Sequence, residues 1–475
     1  MKLAICCILT FLLSFSFAQT WQSAYDSCVK YQDKHQYKEA IEWGDKALEL
    51  YEKQVAIKDT SYSNILNRQF ENCYYGSLYK KGEFYAKKDS VWTKEKNIVR
   101  YSNSCNNLAL LYQAQGKYAE AELLHKEAKE IRAKVLGKEH LDYANSCNNL
   151  ALLYQVQGKY AEAEPLFKEA KETRVKILGK EHPDYANSCN SLAMLYQYQG
   201  KYVEANLLFK EARDIYARVL GKEHPDYASS CNNLALLYQV QGKYADAELL
   251  FKEAKEICAK TLGKENQYYA FPCNNLALLY RIQGKYVEAE LLFKEAKEIW
   301  SKVLGKEHPN YATSCNNLAL LYQIQGKYVE AELLFKEAKE IYAKGLGKEH
   351  TDYAASCNNL ALLYQPQGKY AEAELLFKEA KEIRAKVLGK EHPSYALSCN
   401  NLAALYRIQG KYAEAELLFK EAKEIRAKVL GKEHPSYALS CNNLAALYRI
   451  QGKYAEAELL FKEAKEIRAK VLGKE

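Results

Sequence analysis

Cysteine and histidine side chains recur at a fixed interval in this sequence, and they could support three kinds of chemistry. The chain has 14 Cys and 9 His among its 475 residues. Nine cysteines lie 42 residues apart, from Cys105 to Cys441. Seven histidines follow the same interval with one gap, from His140 to His434. Such side chains can form disulfides, hold a metal ion, or pair as nucleophile and base.

The interval argues against disulfides and metal binding. Zinc sites draw ligands from short spacings such as Cys-x-x-Cys, and a spacing of 42 residues supplies none. Equivalent helices of stacked repeats would be about 8–10 Å apart, whereas a disulfide needs Cα atoms within about 7 Å. We therefore predict that the nine repeat cysteines are free thiols acting as small core residues. A pairing of Cys28 with Cys73 stays open, and Cys258 is unassigned.

The regularly spaced histidines are interpreted as turn residues. Five of the seven directly precede a proline. A row of histidines could bind metal or sense pH, but none of these has a cluster of Cys, Asp or Glu beside it. The sequence contains no GxSxG, HExxH, Walker or dinucleotide-binding motif. We predict no catalytic residue, no metal site and no cofactor.

Pairs of adjacent asparagines recur at the same interval. Asparagine is a mediocre helix former, so its retention needs a reason. The first-row asparagines are Asn106, Asn148, Asn190, Asn232, Asn274, Asn316, Asn358, Asn400 and Asn442. The second-row asparagines are Asn107, Asn149, Asn233, Asn275, Asn317, Asn359, Asn401 and Asn443, with Ser191 in the remaining place. An amide donates and accepts hydrogen bonds, which suits the backbone of an extended peptide. Hydrogen bonding between helices is the alternative role.

The elements that position these residues belong to a 42-residue repeat. Nine repeats begin at Tyr101 and at every 42nd residue to Tyr437, and residues 395–433 are identical to 437–475. A period of this length predicts stacked supersecondary units. In one first helix, Cys147, Leu150 and Tyr154 lie on a single apolar stripe, and Gly158 ends the helix.

The second helix of each repeat is amphipathic. In the eighth repeat Ala415, Leu418, Phe419, Ala422, Ile425 and Val429 form its apolar stripe. Its other face alternates Glu416 and Lys420 with further charges, an i,i+4 pattern that stabilises helices. Each repeat is therefore predicted to be a helical hairpin.

The phrase "NNLALLYQVQGKYAEAEPLFKEA" resembles the tetratricopeptide repeat (TPR). Its motif positions are matched by Leu150, Ala151, Tyr154, Gly158, Tyr160, Ala163, Phe167 and Ala170. The period and the tail "KVLGKEHPSYA" are similar to the kinesin light chain subclass. The resemblance implies an all-α fold, a right-handed superhelical α-solenoid of stacked antiparallel helix pairs. It also implies that the asparagine rows line the concave groove and grip the main chain of a peptide ligand.

Three regions are expected along the chain. Residues 1–18 are predicted to be a signal peptide cleaved before Gln19, with an uncleaved anchor as the alternative. Residues 19–100 are interpreted as divergent helical hairpins that cap the array, with His35 where glycine is expected. Residues 101–475 hold the nine repeats, the last three residues short, which suggests a fragment.

Charge narrows the class of ligand. The formal net charge is +8, but the first helices carry ionised residues near their ends only at Arg281, Arg407 and Arg449. We add these arginines to the predicted peptide-binding residues. Nucleic-acid binding would require a basic stripe that this neutral groove does not provide.

No membrane insertion is expected after signal removal, and the oligomeric state stays open.

Two prolines are expected to disturb the array. Pro272 lies near the start of a first helix, which we predict to begin late, near Phe271. Pro366 lies in the last turn of another first helix, where it removes a backbone hydrogen bond.

Three functions are compatible with the sequence. The first is an exported scaffold, periplasmic, cell-surface or secreted, that binds extended peptide segments of partner proteins without catalysis. The second is the sensing half of a larger protein with a protease-like effector domain after Glu475. The third is a cargo adaptor like kinesin light chain, against which the predicted signal peptide and the lack of an N-terminal heptad repeat argue.

Overall fold

The computed structural model describes residues 20–472, which form 22 α-helices, one short 3-10 helix and no β-strand. The α-helices are α1 (Trp21–Asp33), α2 (Tyr37–Gln54), α3 (Thr60–Tyr75), α4 (Tyr79–Lys96), α5 (Ile98–Ala114), α6 (Tyr118–Val135), α7 (Leu141–Val156), α8 (Tyr160–Leu178), α9 (Pro183–Tyr198), α10 (Tyr202–Val219), α11 (Pro225–Val240), α12 (Tyr244–Thr261), α13 (Gln267–Ile282), α14 (Tyr286–Val303), α15 (Pro309–Ile324), α16 (Tyr328–Gly345), α17 (Thr351–Tyr364), α18 (Tyr370–Val387), α19 (Pro393–Ile408), α20 (Tyr412–Val429), α21 (Pro435–Ile450) and α22 (Tyr454–Leu472). The predicted signal peptide, residues 1–18, lies outside the described residues.

Each repeat is a helical hairpin whose ends are set by local chemistry. Nδ1 of His182 accepts a hydrogen bond from the backbone N–H of Asp184 at 3.1 Å, so the histidine caps α9, and Pro183 occupies its first turn. The first helix of the preceding repeat ends at Val156, and two residues later Gly158 has a φ of 72°, which is unfavourable for residues with a side chain. The spaced histidines are therefore turn residues, as predicted, and they also cap the helices, a role that was not predicted from the sequence.

The hairpins stack into a solenoid, which confirms the predicted fold class. From α7 onward, each first helix packs against the second helix of its own repeat, and from α6 onward each second helix packs against the first helix of the next repeat. Ala151, Ala163 and Ala170 are fully buried where helices cross, and Phe167 is 1% exposed between them. Small alanine side chains let neighbouring helices approach closely while the aromatic ring fills the remaining space.

The two prolines behave differently. α17 ends at Tyr364, two residues shorter than α19, and continues as the 3-10 helix Gln365–Gln367, which confirms the disturbance predicted at Pro366. The prediction that Pro272 delays its helix is wrong. α13 begins at Gln267 because Asn266 replaces the capping histidine, its Oδ1 accepting from the N–H of Tyr268 at 2.9 Å.

The chain divides into two compact units, one ending at Leu111 and the other beginning at Tyr112, inside α5. In the first unit, α1–α4 form two hairpins around a core that includes Tyr51, Tyr62 and Leu66. Its two turns place His35 and Ser77 at φ of 57° and 56°, the backbone conformation that glycine adopts elsewhere in the chain. Among residues 20–472, no helix has the length and hydropathy needed to cross a bilayer.

Candidate peptide-binding groove

The first helices of the repeats form the inner side of the solenoid in the second unit. First helices of neighbouring repeats contact one another more closely than the second helices do, as expected on the inside of a curve. In the second repeat, Tyr143 Oη donates to Glu169 Oε1 at 2.7 Å and Cys147 Sγ lies 3.7 Å from Glu169 Oε2. These bonds fix the orientation of the first helix, and so of its asparagines, against the second helix.

The cysteines are buried free thiols. All nine repeat cysteines have no solvent exposure, and Cys28, Cys73 and Cys258 are also buried and free. Burial raises the pKa of Cys147 to about 11 and that of Cys273 to about 12. Such thiols are protonated at neutral pH and are poor nucleophiles. Within residues 20–472 no group of three or more His, Cys, Asp or Glu side chains could hold a metal ion.

The two asparagine rows are joined by hydrogen bonds between repeats, which we call the asparagine ladder. At four junctions of the second unit, Nδ2 of a second-row asparagine donates to Oδ1 of the first-row asparagine in the preceding repeat. The pairs are Asn275–Asn232 (3.0 Å), Asn317–Asn274 (2.9 Å), Asn401–Asn358 (2.8 Å) and Asn443–Asn400 (2.7 Å). The amides thus satisfy each other across half-buried helix contacts.

The burial of the predicted site residues follows from this ladder. Five first-row asparagines are buried, namely Asn106, Asn274, Asn316, Asn358 and Asn400. The half-buried members are Asn148, Asn190, Asn232 and Asn442 together with the whole second row: Asn107, Asn149, Asn233, Asn275, Asn317, Asn359, Asn401 and Asn443. The first row therefore faces the junctions between repeats, and the second row lies nearer to solvent.

Three second-row asparagines of the second unit stand outside the ladder. Among residues 20–472, the side chains of Asn149, Asn233 and Asn359 make no hydrogen bond to the protein and are half-buried. Ser191 interrupts the ladder, because its hydroxyl donates to the Asn187 carbonyl and leaves Oδ1 of Asn148 buried without a partner. The groove therefore contains amide groups that the fold does not use.

The three predicted arginines lie at the ends of first helices. Arg281 and Arg407 are half-buried and Arg449 is exposed. Burial lowers the pKa of Arg281. No carboxylate within residues 20–472 lies in salt-bridge distance of any of the three.

A further row of inner residues lies two places after the first tyrosine of each repeat, and it contacts the second helix. Arg174 donates to Oδ1 of Asn145 at 2.7 Å, and Tyr216 donates to Oδ1 of Asn187 at 2.7 Å. In the fifth repeat the pair becomes Trp300 and Phe271, with ring centroids 5.3 Å apart. These partners were not predicted from the sequence. The constant separation of 29 residues between the partners is the signal that the sequence contains.

A charged cluster that recurs between repeats links the second helix of one repeat to the first helix and the turn of the next. Glu416 accepts hydrogen bonds from Tyr448 at 3.3 Å and from Lys453 at 2.9 Å in the next repeat, and pairs with Lys420 at 2.8 Å. The hydrogen bond from Lys420 lowers the pKa of Glu416 to about 2, against partial burial, and Lys453 lowers it further. At one junction Asn206 takes the place of the glutamate, and its Oδ1 is buried without a partner.

Several solved structures are similar to parts of this chain. A crystal structure described as a kinesin light chain with nearly identical TPR-like repeats, from Podosopora anserina, is 36% identical with a TM-score of 0.36. That match covers 43% of this chain and 98% of the other. BtubC (BKLC) from P. vanneervenii is 26% identical with a TM-score of 0.40, covering 49% and 92%. A Rap protein complexed with Competence and Sporulation Factor is 14% identical with a TM-score of 0.52, covering 79% and 99%, a likeness of fold.

Comparison with protein families gives a more specific result. A profile described as tetratricopeptide repeat matches residues 146–218, 190–260, 269–344, 352–428 and 396–470, and a second profile of the same description matches residues 102–142. No curated protein matches the chain. Because these matches extend over most of residues 102–470, where the helical hairpin repeats, the chain belongs to the tetratricopeptide repeat family.

Proposed function

We propose that this protein is an exported TPR scaffold that binds extended peptide segments of partner proteins along its first helices and catalyses no reaction itself. TPR arrays generally mediate protein–protein binding and are generally non-catalytic. Export is supported by the first 18 residues, which have a basic residue, an apolar run and small residues before Gln19. Amino-terminal sequencing of the secreted protein should then begin at Gln19.

The single observation that carries the binding proposal is the set of unused amides at Asn149, Asn233 and Asn359. A half-buried amide without a partner is unfavourable unless water or a ligand satisfies it. An extended peptide presents N–H and C=O groups along its length, and each can pair with one asparagine side chain. The Rap protein that shares the fold was solved in a complex, so a ligand can be held by a solenoid of this kind.

The remaining groove residues favour a ligand of mixed character. Phe271 and Leu397 are 40% and 37% exposed on the inner helices, and Arg281 is a cation without a carboxylate partner among the described residues. Such positions suit a peptide with apolar side chains and an occasional acidic one. Because the rest of the groove carries few charges, its affinity for a peptide should depend little on the salt concentration.

Selection from a display library of random, unstructured peptides tests the proposal. Peptides that bind should carry a photoreactive group and be cross-linked to the array, and the labelled residues mapped by mass spectrometry. We expect the cross-links on the first helices, which are the odd-numbered helices from α7 to α21. Recovery of no binding peptide, or cross-links confined to the second helices, would contradict the proposal.

A further inference from the structure

Successive turns of the solenoid touch each other within the second unit. Nε2 of His392, in the loop before α19, lies 3.0 Å from the carbonyl oxygen of Val156 at the end of α7. The two residues are 236 positions apart, which is about five and a half repeats. The ribbon of hairpins therefore completes one turn over this length and meets its own opposite edge.

The contact repeats along the chain, and we call it the histidine seam. His350 bonds to the carbonyl of Ala114 and His434 to that of Tyr198, each in the same relation as His392 to Val156. The fit is close, because a Cβ atom at Gly158 would come within 2.9 Å of Cδ2 of His392.

Equivalent histidines outside the seam provide an internal comparison. The His350 side chain is 9% exposed, whereas those of His140, His182 and His224 are 44%, 41% and 41% exposed. All of these histidines cap their first helices in the same way. The seam therefore arises from the position of the loop in the superhelix and not from a difference in local sequence.

The hydrogen bonds fix the protonation state of the seam histidines. Nδ1 of His392 accepts from the backbone N–H of Ser394 at 2.9 Å, so this nitrogen carries no proton. Nε2 therefore holds the ring proton and donates it to the Val156 carbonyl. A neutral imidazole thus bridges the cap of one helix and the end of another.

The seam joins the two opposite edges of the ribbon, which has a consequence for the inner face. One partner is the loop before a first helix, and the other is the turn after a first helix. When these edges meet, the inner helices line a channel that no longer opens sideways. Inner residues such as Leu397, five residues after His392, are then reached only along the superhelix axis.

The size of this channel follows from helix packing. Adjacent helices pack about 8–10 Å apart, so about five and a half inner helices make a ring about 50 Å around. Their axes lie about 8 Å from the centre. A helix with its side chains is about 10–12 Å across, which leaves a central space only a few Å in radius. Such a space has room for one extended chain and for no helix.

We propose that the inner face of the second unit is the wall of a closed channel that accepts a single extended, unfolded segment entering from an end. The inference rests on the proposed function for its ligand and specifies the kind of partner. A disordered terminus of a partner protein could enter such a channel. A helix, or an internal loop held between two folded domains, could enter only if the seam opened.

Steric access to the inner face tests the proposal without any ligand. Leu397→Cys places a thiol on the inner face, and Leu417→Cys places one on the outer helix of the same repeat, where Leu417 is 70% exposed. Each full-length variant is treated with biotin-maleimide and then with streptavidin, which is too large for the channel. Only molecules shown by mass spectrometry to carry biotin are scored, and the parent chain reports background from native cysteines.

Opening the seam provides the matched comparison. The triple variant His350→Asp, His392→Asp, His434→Asp keeps a good helix cap but replaces the donor with an acceptor facing a carbonyl oxygen. The control triple changes His140, His182 and His224 to Asp, altering three caps outside the seam. Circular dichroism checks that every variant stays helical.

We expect streptavidin to bind biotin at Leu397→Cys at least tenfold more slowly than biotin at Leu417→Cys. This difference should be found when the chain is otherwise unchanged and also in the control triple. In the seam triple the two positions should bind at similar rates. Equal binding at both positions in the parent chain would overturn the proposal. Because no peptide is used, this outcome is separate from a failure to find a peptide ligand.

Discussion

The side-chain amide nitrogen of Asn443 lies 2.7 Å from the amide oxygen of Asn400, one repeat earlier in the chain. This bond is one of four that join the asparagine rows of neighbouring repeats in the second unit, so the rows contribute to the junctions between repeats. At Asn149, Asn233 and Asn359 the second-row amide has no such bond among residues 20–472. The same sequence feature therefore has two roles, and substitutions can separate them.

Two triple variants should differ in stability. Asn275, Asn317 and Asn401 belong to the ladder, whereas Asn149, Asn233 and Asn359 do not. Changing either set to Ala gives the same gain in helix propensity, so the difference isolates the ladder. We expect the ladder triple to be less stable than the unbonded triple by about 3 kcal/mol, at about 1 kcal/mol per bond. Urea denaturation followed by circular dichroism measures the difference, and equal midpoints would refute a stabilising ladder.

Restoring the missing glutamate should stabilise the junction at Asn206. Lys210, Lys243 and Tyr238 already occupy the places that surround Glu416 in its own cluster. Asn206→Glu should raise the free energy of unfolding by about 0.5–1 kcal/mol, the range of a favourable ion pair. Asn206→Gln is the control for side-chain length. Thermal unfolding of both variants measures the difference in stability. Equal stability of the Glu and Gln variants would show that the charged cluster does not stabilise the junction.

The glutamate clusters predict a loss of stability in acid. The pKa of Glu416 is lowered to about 2, chiefly by Lys420, and those of Glu374 and Glu248 are also about 2. A carboxyl group in the unfolded chain has a pKa of about 4.3. The stabilisation is therefore fully present above about pH 4.3 and is lost as the pH falls toward 2. Glu416→Gln should make the free energy of unfolding depend less on pH between about 4.3 and 2. The same pH dependence of stability in the variant and the parent would contradict a contribution from Glu416.

The histidine seam should open at a higher pH than the one at which the glutamates are protonated. Burial lowers the pKa of His392 to about 4, with Arg384 acting in the same direction and the Val156 carbonyl opposing; the pKa of His434 is likewise about 4. For His350, burial lowers the pKa while Asp352, 3.7 Å away, raises it.

Because a free histidine has a pKa of about 6.5, the open form takes up protons first as the pH falls from 6.5 toward 4. Streptavidin binding at biotinylated Leu397→Cys should accelerate over this range. In the seam triple the rate should not change with pH. A binding rate that is independent of pH when the seam histidines are present would show that their protonation does not open the seam.

Much of the fold could be predicted from the sequence because its determinants are local. The apolar stripe of Cys147, Leu150 and Tyr154 and the glycine turn at Gly158 define each hairpin within one repeat. The end of α17 at Tyr364, two residues before Pro366, follows equally from local backbone chemistry. The start of α13 was missed because the capping role of Asn266 was not considered, although Asn is a good cap.

The features that could not be predicted depend on distant residues. The contact of His392 with Val156 requires the curvature of the whole array, which small shifts at each junction determine. The division of the second row into bonded and unbonded asparagines depends on the same junctions. Asn317 and Asn359 both lie in the segment SCNNLALLYQ but differ in partners, so the residues directly around them do not separate the two cases.

The central claim is that unused amides on the inner helices bind the main chain of a peptide. The direct measurement is the affinity of a library-selected peptide, by isothermal titration calorimetry, for the parent and two matched variants. One changes Asn149, Asn233 and Asn359 to Ala; the other changes the exposed outer residues Leu333, Leu375 and Leu417 to Ala. At about 1 kcal/mol for each hydrogen bond, the asparagine triple should bind at least 100-fold more weakly, with unchanged helicity. The leucine triple should bind within twofold of the parent. Equal affinity of the asparagine triple and the parent would contradict the account.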